Sequence, residues 1–216
     1  MKTQLLVLVC AIFTIATPAM AGPPLICHPY DIGSAQSLPW SGPGKFDVSS
    51  SYDVDRLVTN TLALLTPATP VIVRMETMRR ATVYAYVRKR PDLATELLDA
   101  LQKRVNGGDK RNDPLGVFDV GYLAATYRQM FRERDLTGGI DGLSMIEGAI
   151  ALRGTDAQME LAAAIATLGH GSGPHRAHLD RAVAGASRDS LLAKNLVVQA
   201  DLLQSSKDAM RARIGS

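Results

Sequence analysis

Apolar residues return every three or four positions through 141–203, in four blocks broken by Gly, Pro, Ser or Asp, and this rhythm predicts helix after helix. Leu143, Ile146, Ala149 and Ile150 share one face; Leu161, Ile165 and Leu168 share another. Leu179, Ala182, Val183 and Ala186 form a third stripe, and Leu192, Leu196 and Leu203 a fourth. No block can hide its stripe alone, so each requires a neighbour. Upstream the same rhythm predicts helices from Ser51 or Asp53 to about Leu65, from 70 to 89, from 92 to 105 and from 114 to 131. Thr66-Pro67-Ala68-Thr69-Pro70, Arg90-Pro91-Asp92 and Asn106-Gly107-Gly108 separate them. Gly121 and the Ala124-Ala125 pair predict close approach by a neighbouring helix. No segment alternates as a strand does. The expected fold is all-α: about eight antiparallel helices in helical hairpins, arranged as an α-solenoid or an irregular bundle.

Residues 22–50 break this rhythm. Pro23, Pro24, Pro29, Pro39 and Pro43 exclude helix from most of the stretch. It nevertheless carries Leu25, Ile26, Tyr30, Ile32, Leu38 and the only tryptophan, Trp40, which is too apolar a set for a free tail. The expectation is an extended arm lying across the helices with Trp40 as its anchor. Before it, Lys2, the apolar run Leu5 to Ile15 and the small residues of Ala19-Met20-Ala21 have the layout of a secretory signal peptide. The chain thus divides into a signal peptide (1–21), the arm (22–50) and a helical domain (51–216). Cleavage near Ala21 would release a secreted or periplasmic protein, and no later stretch is long and apolar enough to span a bilayer.

Composition adds little about partners. With 46% apolar residues the chain can build an ordinary core, and with Lys2 removed its net charge is about +2. Charge is locally uneven: ten basic residues lie between Arg74 and Arg111 against five acidic ones. Arg79, Arg80, Arg88, Lys89 and Arg90 are the candidates there for binding an anionic envelope polymer, although solvated helix faces explain most such runs. Tyr84 and Tyr86 sit in the same stretch, at the helical spacing of core residues.

Cleavage would also remove Cys10 and leave Cys27 alone, so no internal disulfide can form. Cys27-His28 could offer a thiolate and an imidazole to a metal. The remaining histidines cluster in Gly169-His170-Gly171-Ser172-Gly173-Pro174-His175-Arg176-Ala177-His178. His175 and His178 are one turn apart, so both could face one ion, with His170 as a third ligand. A solvated turn between helices is the competing reading. Gly-x-Ser-x-Gly, His-Glu-x-x-His, the Walker loop and the dinucleotide fingerprint are all missing, and no cofactor is expected.

The second and third helices resemble a tetratricopeptide repeat. Ala81 stands at its small position, Tyr84 at its tyrosine, Leu97 at its second-helix aromatic or leucine position and Ala100 at its alanine, whereas Arg80 and Leu93 depart from it. The stretch Cys27-His28-Pro29-Tyr30-Asp31-Ile32-Gly33 is similar to openings of uncharacterised secreted bacterial proteins. The repeat resemblance implies a stacked helical array that binds a protein or peptide on one face. An exported interaction module, not an enzyme, is therefore the leading expectation. A metal protein using the histidine loop and a polymer binder using the basic run are its rivals.

Overall fold

A computed structural model describes residues 23–107, 113–168, 172–187 and 189–215. Residues 1–21, expected to be a signal peptide, lie outside them. Aspartates start most of the later helices, each accepting backbone N–H bonds through its side chain: Asp113 opens α5 (Pro114–Met130), Asp141 opens α6 (Gly142–Arg153), Asp156 opens α7 (Ala157–Ala166) and Asp189 opens α9 (Ser190–Val198). Pro91 begins α4 (Pro91–Asn106), where its missing amide hydrogen is not needed. Before them lie a 3-10 turn (Val54–Arg56), α2 (Leu57–Leu64) and α3 (Val71–Val87). Between α7 and α9 runs α8 (Ser172–Ala186). These elements match the expected helices closely.

Two further helices appear among the described residues. Pro24–Cys27 forms α1, a single turn with proline at its start, inside the stretch expected to be extended. Its short length suits the sequence: Pro29 stops any longer run. Lys207–Gly215 forms α10, whose apolar pattern is only Met210 and Ile214, too sparse to announce a helix. Met210 is fully buried, and Arg213 pairs with Asp180 of α8 at 2.6 Å. Tertiary packing, not intrinsic pattern, orders this segment. The only strand-like pairing among the described residues is one antiparallel bridge between Trp40 and Val48.

The helices close around α3. Fourteen of its seventeen residues are buried, and it packs against α1, α2, α4, α5 and α7. In a solenoid each repeat touches only its neighbours. Here a helix from the first half meets one from the second, so the array is an irregular bundle. The most extensive pairings are α5 with α6 and α7 with α8. The α5–α6 pair is close because Gly121 sits against Met145 and Gly142, as the small residues of α5 predicted. Alanines 162, 163, 164 and 166 of α7 are likewise buried and let neighbours come near.

The arm is part of the same core. Leu25 and Ile26 are fully buried, with Tyr30 and Leu38 nearly so. Leu25 donates its N–H to Gln129 of α5, Asp31 donates to Asn195 of α9, and Gln199 donates to the Pro29 carbonyl. The arm therefore ties the two halves of the bundle together. Trp40 is not the deepest anchor: it is half-buried, lying over the guanidiniums of Arg79 and Arg80 at 4.9 and 5.4 Å. No described helix is long and apolar enough to cross a membrane.

Candidate functional site

The polar face of α3 holds the arm by its backbone. Glu76, almost wholly buried, accepts from Arg79 at 2.7 and 2.8 Å, from Arg80 at 2.7 Å and from the Tyr30 amide at 3.0 Å. Arg79 also donates to the carbonyls of Ile26 and Lys45, and Arg80 to that of Leu38. One turn on, Tyr84 donates to Pro39 at 2.5 Å and accepts from the Ser49 amide, while Arg88 donates to Ser49 and Ser50. Helix residues at i, i+3 and i+4 share a face, so this row is a direct product of spacing. Beneath it Tyr122 donates to Tyr30 at 3.1 Å, and burial pushes both phenols above their ordinary range.

The five basic candidates are thereby separated. Arg79 is completely buried, and Arg80 and Arg88 bond arm carbonyls. Arg90 pairs with Asp92 at 2.7 Å and also with Asp55. Lys89 is exposed and takes the left-handed position (φ 56°) just past the end of α3. They do not come together as one cationic surface. Lys110 and Arg111, from the same run, lie outside the described residues.

Of the histidine cluster, His170 lies outside the described residues. His175 and His178 are buried, not solvated, because α8 turns them toward α7. Their bonds diverge. His175 donates from Nδ1 to the Ala164 carbonyl at 2.8 Å, whereas His178 Nδ1 is 2.6 Å from the buried carboxylate of Glu160, which Arg181 also contacts at 2.6 Å. Glu147 stands 3.4 Å from the other nitrogen of His178. Cys27 is a buried free thiol, and beside it the His28 imidazole is held below its ordinary range by burial and then by Lys45. Among the described residues, no three His, Cys, Asp or Glu side chains are grouped as metal ligands would be.

A second buried charge pair joins α3 to α5. Arg74 Nη1 is 2.5 Å from Asp119 Oδ2, and its other nitrogens bond the carbonyls of Thr66 and Thr69. The Asp119 carboxyl is pushed up to about 7, since burial penalises its charge more than Arg74 favours it. Between about pH 4 and 7 the native chain then keeps a proton that the unfolded chain has released. This contribution to stability is complete at acid pH and is lost as pH rises through about 7. Denaturation at about pH 4.5 and pH 8 should show wild type losing roughly 1–4 kcal/mol more across the interval than Asp119→Asn. Equal losses would refute this titration.

One surface stands out for exposed aromatic area. Phe46 and Tyr86 are 41% and 49% exposed, and Tyr86 lies edge-on to Phe131 with ring centroids 5.8 Å apart. Tyr84 is core as expected, but Tyr86, two residues on, points to the other side of α3. With Pro23 and Met130 these rings line a groove of about 480 Å³, and Arg132 and Arg134 stand along it. Neither arginine pairs with a carboxylate among the described residues.

Sequence reasoning passed over Glu76, Asp119 and Glu160. Their signal was present in the last two: Asp119 lies between Phe118 and Val120, and Glu160 precedes Leu161 and three alanines. An acid inside an apolar stripe must find a partner. No family model, curated protein or solved structure matches the chain.

Proposed function

We propose that this chain is an exported interaction module, not an enzyme, and that it binds a protein or peptide through the groove of Phe46, Tyr86 and Phe131. The observation that carries this reading is the composition of that groove. Aromatic rings and arginines are the side chains enriched at interface centres, and large apolar side chains seldom gather on a surface without a partner. Arg132 and Arg134, against Glu133 in the groove's lining, favour a partner with an apolar anchor flanked by acidic residues. The likeness of α3 and α4 to a tetratricopeptide repeat supports peptide binding by analogy alone.

A displayed peptide library panned against the purified mature chain tests this. Enriched sequences should carry an aromatic or leucine anchor beside Asp or Glu. Substituting Phe46→Ser and Tyr86→Ser together should weaken them by at least about tenfold, the loss of one interface anchor, without moving the melting temperature. Both side chains are exposed, so the double variant should fold. No enrichment, or peptides indifferent to the double variant, would count against the proposal.

A further inference from the structure

A cavity of about 400 Å³ opens between α2, α4 and α5. Leu62, Leu65, Leu101 and Leu115 form its apolar walls, and the Arg74–Asp119 pair forms part of its lining. Both charged side chains are nearly inaccessible, at 3% and 5% exposure. Arg74 is fully engaged, bonding Asp119 Oδ2 and two carbonyls. Asp119 is not. Its Oδ1 is buried and has no hydrogen-bond partner among the described residues. A buried acceptor left unpaired is costly, so an oxygen of this kind on a residue that lines an open cavity with leucine walls points to something that fills both needs.

We infer that this cavity binds a small neutral amphiphile with a hydroxyl donor, an alcohol or phenol, whose O–H bonds Asp119 Oδ1 while its apolar body lies among the leucines. Charge decides against an ammonium. Arg74 already neutralises Asp119, so a second cation beside the guanidinium would be buried without compensation. Asp113 and Arg104, which also line the cavity, offset each other and add no net preference. Above about pH 7, where Asp119 is ionised, a carboxylate ligand is disfavoured in turn, since it would meet Asp119 charge to charge. What remains is a neutral donor on an apolar frame. This site is separate from the aromatic groove and stands independently of any peptide bound there.

Calorimetric titration of the mature chain at about pH 8, where Asp119 is ionised and its Oδ1 can accept, with p-cresol and with toluene tests the inference, because the two differ by the hydroxyl alone. Saturable one-to-one binding of p-cresol is expected, at least about tenfold tighter than toluene, the worth of one buried hydrogen bond. Leu62→Trp, at a half-buried wall position, should fill the cavity and abolish binding while the melting temperature holds. Leu115→Phe fills it from α5 and serves the same purpose if the first variant is unstable. No saturable binding to the folded chain would mean a cavity holding only water and would overturn the proposal. So would equal affinities for the two probes, or p-cresol binding that survives the folded cavity-filling variants, since that would place it elsewhere, the aromatic groove included.

Discussion

Glu76→Ala is expected to cost about 3–5 kcal/mol, because it leaves Arg79 buried without its carboxylate. Ordinary domains have only about 5–15 kcal/mol to lose, so the variant should unfold near the edge of its native range. The cost arises from the asymmetry of a broken ion pair. Arg79 keeps its bonds to Ile26 and Lys45 but retains a full charge that water cannot reach, while Arg80 and the Tyr30 amide lose their acceptor as well. Replacing both members, Glu76→Leu with Arg79→Met, removes the stranded charge and should recover part of the loss. Recovery should stay incomplete, since the carbonyls of Ile26 and Lys45 would then lack their donor.

Trp40 reports the local consequence. As the only tryptophan it gives a single fluorescence signal, and its ring lies on Arg79 and Arg80, nearly perpendicular to the Tyr84 ring. In Glu76→Ala the arm should loosen before the bundle unfolds, so Trp40 emission should shift to the red at a lower urea concentration than the helical circular dichroism falls. In wild type the two transitions should coincide, because the arm shares the core with α3 and α5. A Glu76→Ala chain within about 1 kcal/mol of wild type would show that the network does not hold the arm.

Those charges also explain what the sequence could and could not disclose. The amphipathic helices were legible: α4 was expected over 92–105 and runs from Pro91 to Asn106, because one face carries leucines and the other charge. Caps and proline breaks were legible for the same reason, being local chemistry. α3 was legible as a helix but not as the centre of the bundle. Arg74, Glu76 and Arg79 read as solvated positions, yet all three are buried, and each has a partner more than 40 residues away in sequence that nothing local announces: Asp119, the Tyr30 amide and the Ile26 carbonyl. His175 and His178 misled in the same way, since nothing local announces that Ala164 and Glu160 lie opposite them. The choice between an open array and a closed bundle turned on packing between α3 and α7, which periodicity cannot encode. The aromatic groove was hidden too, for it joins the arm's Phe46 to Tyr86 of α3 and Phe131 beyond α5.

Glycine offers the sharpest test of the packing, because two glycines of α6 should respond with opposite signs. A Cβ added at Gly142 would lie 2.5 Å from the Gly121 carbonyl oxygen and 2.7 Å from the Ala125 amide nitrogen. Both are backbone atoms and cannot swing aside, so α5 and α6 would have to separate, loosening Ile146 and Ala149 from the core. Gly142→Ala should therefore destabilise by about 1–3 kcal/mol or more, even though alanine is the better helix former. At Gly148, six residues along the same helix, an added Cβ meets nothing within 4 Å. Gly148→Ala should stabilise by about 0.5–1 kcal/mol, through propensity alone. The reciprocal position supplies a control: a Cβ on Gly121 would strike Met145 Cβ at 2.7 Å and the Gly142 carbonyl oxygen at 2.9 Å. Once one alanine has pushed the helices apart the second meets less resistance, so Gly121→Ala with Gly142→Ala should cost less than the sum of the single changes. Urea midpoints of the four variants decide the matter. If Gly142→Ala matched or exceeded wild type, the two helices would not be in backbone contact, and the close α5–α6 pairing would have to be abandoned.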